Sequence, residues 1–375
     1  MSAEYNKNLR QNYVFVDALR GCAVLLVLCY HIIMILGWSG FPERGLTKIF
    51  HAGWIGVDLF FVISGFVIAL SILHGIERSG NPGFVRDSAR HRLARLVPLY
   101  YLTMLLCITC IAPQSFWLAT AKIRFENITS HLLFIHNWFQ PYAGAINGSA
   151  WTLGVEMQFY ALIALTLAFW PQKRALSLAL AGIAIAILWR AFCYWLWQGN
   201  FVLLLHALQQ LPGTLDGFFI GAAIALVCRA NGHFLHKYMQ PGARNTFMWC
   251  ALALLAGLAA WHTYWLYPHS DFSYWGNAPM TAFWRTLLAL TFALFLLTAT
   301  TLPAHKWLVR CLAPLLYIGK ISYGIYLWHL PVIHAIMKTG LPSGRMAALA
   351  TLSTLLLASF SWYFFEKPLI DRYRK

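Results

Sequence analysis

Arg20 and His31 both fall in the first apolar run of the chain, Asp17-Ala-Leu-Arg-Gly-Cys-Ala-Val-Leu-Leu-Val-Leu-Cys-Tyr-His. On an α-helix their separation is about three turns, which puts the two side chains roughly 20° apart around the axis and about 16 Å apart along it. Ionisable groups are costly in hydrocarbon, so a cation and an imidazole on one face of such a helix point to an intramembrane functional site. Taken singly, an arginine snorkelling to the interface and a histidine bonded to a nearby carbonyl need no function. Taken together, and with Asp58 and Glu156 at the starts of later apolar runs, they favour chemistry. His31 suits the part of general base toward an acceptor hydroxyl, an effect typically of about 10²–10⁴ in rate. Glu156 or Asp58 would then fix its tautomer and stabilise the imidazolium.

A second constellation is basic. Arg92 and Arg95 are spaced i, i+3 and therefore share a helix face. Guanidinium forks match phosphate oxygens in a bidentate way, so a phosphate-rich ligand entering from the cytosol would meet Arg92, Arg95 and Arg20. Topology signals and lipid headgroup contacts are the plainer explanation of that pair. No serine or cysteine stands out as a nucleophile, and Ser64 in Ser64-Gly65-Phe66 reads as a helix-packing position. Cys107 and Cys110 have CxxC spacing but lie in an apolar run with no second pair, so neither zinc nor a redox role is expected. No metal site and no disulfide framework are expected.

The composition sets the class. With 60% hydrophobic and 11% charged residues and a mean hydropathy of +0.61, the chain has too few charges to build a globular surface. A formal charge of +16 would suggest nucleic acid in a soluble protein, but here the basic residues gather in short loops between apolar runs, as the positive-inside effect requires. The expected fold is all-α, a polytopic bundle of about ten membrane helices: Val14–Leu36, Trp54–Leu73, Leu96–Ile111, Trp151–Trp170, Leu176–Trp197, Val202–Cys228, Phe247–Trp265, Thr281–Leu302, Leu312–Met337 and Met346–Phe365. The ninth is expected to break at Pro331. The first span is longer than a signal-peptide core and should be retained.

Arg78, Arg86, Arg90, Arg92 and Arg95 follow the second span. Lys173 and Arg174 follow the fourth, Arg229, Lys237 and Arg244 the sixth, His305, Lys306 and Arg310 the eighth, and Lys367, Arg372, Arg374 and Lys375 the tenth. Every even-numbered exit is basic, so both termini should be cytoplasmic. Residues 1–375 read as a single membrane domain, with no soluble domain expected before the first span or after the last. The outer loop Pro113–Ala150 contains an apolar piece, Ile128–Phe139, of about half a span, expected to be an interfacial or re-entrant helix. With this orientation His31, Asp58 and Glu156 share a level in the outer half, and His329 reaches a similar depth from inside. Trp38, Trp138, Tyr142, Tyr264, Trp265, Tyr267, Tyr274 and Trp275 in the outer loops read as an interfacial aromatic belt more readily than as sugar-stacking faces.

Together these motifs resemble the acyltransferase-3 family of integral membrane acyltransferases, in its stand-alone form without a fused esterase-like domain. The resemblance runs through Asp17-Ala-Leu-Arg20-Gly with His31, Val57-Asp58-Leu-Phe-Phe-Val-Ile-Ser64-Gly65-Phe66, Arg92-Leu-Ala-Arg95 and Trp151-Thr152-Leu-Gly-Val-Glu156-Met-Gln158-Phe-Tyr160. It continues through Phe218 to Gly221, Ser322-Tyr323-Gly-Ile-Tyr326-Leu-Trp-His329-Leu-Pro331 and Glu366-Lys367-Pro368. It implies transfer of an acyl group, most often acetyl, from cytosolic acyl-CoA to a carbohydrate or other hydroxyl acceptor, in a bacterial inner membrane. It also implies that Arg20 and His31 are essential, His31 being the base, that Arg92 and Arg95 contact the coenzyme A phosphates, and that Glu156 holds a characteristic position. Thr152 and Gly154 stand where serines are common in the family. A proton-coupled transporter using His31, Asp58 and Glu156 as a relay fits the bare polarity pattern too, but it predicts related halves with paired broken helices, and none are evident.

Overall fold

A computed structural model describes residues 13–38, 41, 50–79, 83–111, 116–169, 175–230, 241–261 and 277–373. Among the described residues there is no strand. The helices are α1 (Val14–Leu36), α2 (Ile55–Ser79), α3 (Gly83–Leu106), α4 (Ala121–Leu132), α5 (Trp151–Phe169), α6 (Ala175–Trp197), α7 (Phe201–Leu208) and α8 (Leu211–Ala230). They continue with α9 (Pro241–Trp261), α10 (Ala278–Thr301), α11 (Lys306–Cys311), α12 (Ala313–Lys320), α13 (Ser322–Met337), α14 (Ser343–Ser361) and α15 (Lys367–Tyr373). Seven described segments are long and apolar enough to cross a membrane: Val14–Leu36, Ile55–Leu73, Arg92–Ile111, Leu176–Trp197, Phe201–Cys228, Ala278–Thr301 and Ser343–Arg372. Helices α5 and α9 stand where the fourth and seventh spans are expected. The chain is an all-helical integral membrane protein. Lys173, Arg174, Lys237, Arg374, Lys375, Tyr264, Trp265, Tyr267, Tyr274 and Trp275 lie outside the described residues, as do the side chains of Arg78, Arg86, Arg90 and Arg229.

The third span begins at Arg92 rather than Leu96, within a helix that starts at Gly83, and three other expected elements change. The apolar piece Ile128–Phe139 is not one helix. Instead α4 begins at Ala121, where the Thr120 hydroxyl accepts from the Ile123 N–H at 3.3 Å, and it ends at Leu132 ahead of Phe134, whose φ is 56°. An N-cap and an amphipathic run decided the element, and neither registers in a search for continuous apolarity. The sixth run splits between α7 and α8 at Gln209 and Gln210. The ninth breaks at Ile321 rather than at Pro331, which lies inside α13.

The reason α13 survives its proline is explicit. Pro331 has no N–H for the carbonyl of Leu327, four residues earlier, and a carbonyl left orphaned in an apolar interior is costly. Asn147, from the loop before α5, donates its Nδ2 to the Leu327 carbonyl at 3.0 Å and restores the missing bond.

The chain divides into two compact units. The first comprises Met1–Ala23, Ile55–Leu73 and Leu165–Lys320, and the second Val24–Trp54, His74–Ala164 and Ile321–Lys375. In the first unit α8 packs against α6 and α10, and it meets α2 backbone to backbone. A Cβ on Gly65 would lie 2.0 Å from the Phe218 carbonyl oxygen, and one on Gly221 would lie 2.0 Å from that of Val62. Glycine is required at this crossing because helices in lipid associate through close backbone approach. In the same unit, Gly319 of α12 faces the Asp17 carbonyl oxygen at 1.8 Å from its hypothetical Cβ, just before the break at Ile321. In the second unit α13 packs against α14 and α3, and α15 against α3.

Two consequences can be measured by thermal unfolding of purified protein in detergent. Gly65→Ala should lower the midpoint by several degrees, the effect of overpacking by about 1–3 kcal/mol, whereas Gly257→Ala, with open space around it, should leave it unchanged. Asn147→Leu should cost about 1–3 kcal/mol by orphaning the Leu327 carbonyl. Hydrogen exchange should then accelerate along α13, and unaltered exchange there would contradict the capping role.

Candidate active site

In the second unit the rings of His31 and His329 meet, with centroids 4.9 Å apart and planes at 52°. The His31 Nδ1 lies 2.9 Å from the Val27 carbonyl oxygen, one turn back on α1. A carbonyl can only accept, so Nδ1 carries the hydrogen of the neutral ring, and Nε2 keeps the lone pair. His329 is arranged in the same way. Its Nδ1 donates to the Tyr326 carbonyl at 2.6 Å, which makes its Nε2 an acceptor, and that Nε2 lies 3.2 Å from the His31 Nδ1. The hydrogen on the His31 Nδ1 is thus shared between Val27 and His329. His329 is buried, whereas His31 is only partly so.

Along one face of α5, Thr152, Glu156 and Tyr160 recur every four residues. The Thr152 and Tyr326 hydroxyls are bonded at 2.9 Å. The Tyr160 hydroxyl donates to the Glu156 Oε1 at 2.7 Å and accepts from the Arg92 Nη1 at 3.3 Å, and the Arg92 guanidinium lies 5.0 Å from the centre of the Tyr160 ring. A carboxylate and a guanidinium expected at different depths are therefore joined through one phenol. Arg95 interacts electrostatically with Glu366, a buried carboxylate that also accepts from Ser361 at 3.1 Å. Glu366 belongs to the closing Glu-Lys-Pro motif and supplies one of the two arginines with a counter-charge.

The first unit holds the other expected residues. Arg20 is ion-paired with Asp17 at 3.1 Å. Asp58, buried, lies 3.6 Å from the Arg285 Nε, so its described ion pair is not with the histidines it is expected to support. The same unit contains a buried cluster that sequence reasoning missed. The Arg190 Nη2 donates to Asp216 at 2.7 Å and to Thr286 at 2.6 Å, Thr286 donates to Asp216 at 2.7 Å, and the Arg285 Nη1 donates to the Leu208 carbonyl at 3.2 Å. The available signal was a lone charge inside each of three apolar runs, the same signal that singles out His31.

The loop before α5 is fastened to that helix on its opposite side. Gln158 donates to the Phe134 carbonyl at 2.8 Å and to Asn137 at 2.7 Å, and it accepts from the Trp138 indole at 2.9 Å. Beneath these, His131 and His136 stack at 4.0 Å with planes 11° apart, both fully buried. The His131 Nδ1 donates to the Asn127 carbonyl at 2.8 Å, and the His136 Nε2 donates to that of Ala150 at 3.1 Å. Among the described residues no group of three or more histidine, cysteine or carboxylate side chains could hold a metal ion.

The acyltransferase domain model of the acyltransferase-3 family matches residues 13–365, so the chain belongs to that family of integral membrane acyltransferases. Among its relatives, one of Komagataeibacter xylinus carries the name membrane-bound transacylase BcsY. It is 27% identical over 341 residues, covering 88% of this chain and 74% of its own length. The peptidoglycan O-acetyltransferase OatA of Listeria monocytogenes is 23% identical over 385 residues, 94% of this chain and 55% of OatA. Nodulation protein 10 of Rhizobium leguminosarum bv. viciae is 25% identical over 387 residues, 98% of this chain and 95% of that protein. The chain thus spans little more than half the length of the peptidoglycan O-acetyltransferase OatA. No solved structure matches it with significance.

The stacked histidines make the anchoring of the segment before α5 sensitive to acid. Burial pushes His131 down to about 3, with His136 beside it adding to the shift, and burial pushes His136 down to about 4. An unfolded histidine titrates near 6.5, so below that pH the opened loop binds more protons than the folded one. Stability that is complete above about pH 6.5 should fall as the pH drops toward 4, by on the order of 2 kcal/mol per ring at pH 5. Hydrogen exchange of residues 127–138 should therefore accelerate between pH 7 and pH 5 relative to α8, once corrected for intrinsic rates, and a flat profile would contradict the assignment.

Proposed function

We propose that the chain is a membrane O-acyltransferase that moves an acyl group, most simply acetyl, from cytosolic acyl-CoA to a carbohydrate hydroxyl of a surface or secreted glycan. It would work in a bacterial inner membrane. The relative named for peptidoglycan O-acetylation supports the acceptor class, and the one named a transacylase supports acyl transfer. The observation that carries the reading is the tautomer of His31, whose Nδ1 bond to the Val27 carbonyl leaves Nε2 ready to accept a proton.

In this reading His31 takes the proton of the acceptor hydroxyl at Nε2 as that oxygen bonds to the thioester carbonyl carbon. The carbon–sulfur bond then breaks, and His31 returns the proton to the departing thiolate. Arg92 and Arg95 hold donor phosphates. Two guanidinium groups one turn apart suit a phosphate-rich donor in charge and geometry. Glu156 acts through Tyr160 to fix the direction in which Arg92 points. It is a positioning residue for the donor rather than a partner of the base.

Coenzyme A titrated into purified protein should bind, and the double change Arg92→Ala/Arg95→Ala should abolish that binding. His31→Ala should preserve binding while lowering transfer by about 10²–10⁴, read as base-labile acetate on the host's glycans. Binding that is absent, or indifferent to both arginines, would remove the support for an acyl-CoA enzyme.

A further inference from the structure

We infer that His329 is the positioning partner of His31, filling the place that histidine-based acyl transfer ordinarily gives to a carboxylate. The inference rests on the reading of His31 as the base. Its foundation is the pair of acceptor assignments above. The His329 Nδ1 is committed to the Tyr326 carbonyl at 2.6 Å, so its lone pair at Nε2 faces the His31 Nδ1 at 3.2 Å. When His31 is protonated at Nε2, its Nδ1–H remains shared between the Val27 carbonyl and the His329 ring, and both acceptors hold the imidazolium in the orientation it had as a base. No proton needs to pass to His329.

The surroundings favour a neutral partner. His329 is 1% exposed, and a carboxylate buried so deeply would need a cation of its own. The ring is also fixed from behind. Helix α13 runs unbroken past His329 because Asn147 replaces the hydrogen bond that Pro331 cannot make. Glu156 is engaged by Tyr160, and Asp58 lies against Arg285.

The test compares three variants of the full chain in a host lacking the native copy, at equal protein per membrane. It reads base-labile acetate on the glycans and, after purification, the affinity for coenzyme A. His329→Leu should lower acetate about tenfold or more while keeping coenzyme A affinity within about twofold. His329→Gln, whose amide oxygen can stand where Nε2 stood, should restore acetate to within about threefold of the parent. His329→Phe keeps the ring volume and should behave like leucine, which separates packing from acceptance. Parent-like acetate in the leucine variant would overturn the inference, as would a glutamine variant no better than leucine. Should His31→Ala retain transfer, the reading of the base itself would fall, an outcome distinct from a neutral result at His329.

Discussion

Lipid offers no hydrogen bonds, so a polar group carried into an apolar bundle has to be met by another group of the protein. In the first unit the requirement is satisfied with charge. Arg190, Asp216 and Thr286 close a three-membered set of bonds, and Asp58 lies against Arg285. Pairs this deeply buried contribute less to stability than to specificity, because desolvation consumes most of the Coulomb gain. Here they link α6, α8 and α10, while Gly65 and Gly221 let α2 lie close against α8. In the second unit Glu366 faces Arg95, and neutral groups meet much of the rest of the requirement. An asparagine completes the helix around Pro331, carbonyls orient two histidines, and a phenol joins Glu156 to Arg92.

How much of this is legible in the sequence follows from what helical spacing can and cannot specify. Apolar length locates membrane helices, and charges within them single out His31, Asp58 and Glu156, because both signals are local. Rise per residue then assigns a depth but not a direction around the bundle. Asp58 shares the depth expected for His31, yet its described ion pair is with Arg285, itself inside another apolar run. Partner choice depends on which helices adjoin, a long-range property. The break in the ninth run illustrates the same limit. Proline is a strong local signal at 331, but the side chain that cancels it lies 184 residues earlier, at Asn147 (331 − 147). Arg190, Asp216 and Arg285 carry the same local signal, a lone charge within an apolar run, but spacing alone does not show which groups they meet.

Helix α5 connects the two scales. Its residues 152, 156 and 160 point toward α13 and α3 through Tyr326 and Arg92, and 158 fastens the loop before α5. Residues 152 and 154 fall on these two faces and have different consequences. Threonine at 152 keeps a hydroxyl, and that hydroxyl is in use against Tyr326. Glycine at 154 removes a side chain where the loop comes close, since a Cβ there would lie 2.8 Å from the Asn137 Oδ1 and 3.2 Å from the His136 ring. A side chain at 154 would press on the Asn137 amide that accepts from Gln158 and touch the edge of the His136 ring. The glycine and the buried histidine pair are therefore parts of one arrangement, in which the loop lies close against the helix that carries Glu156.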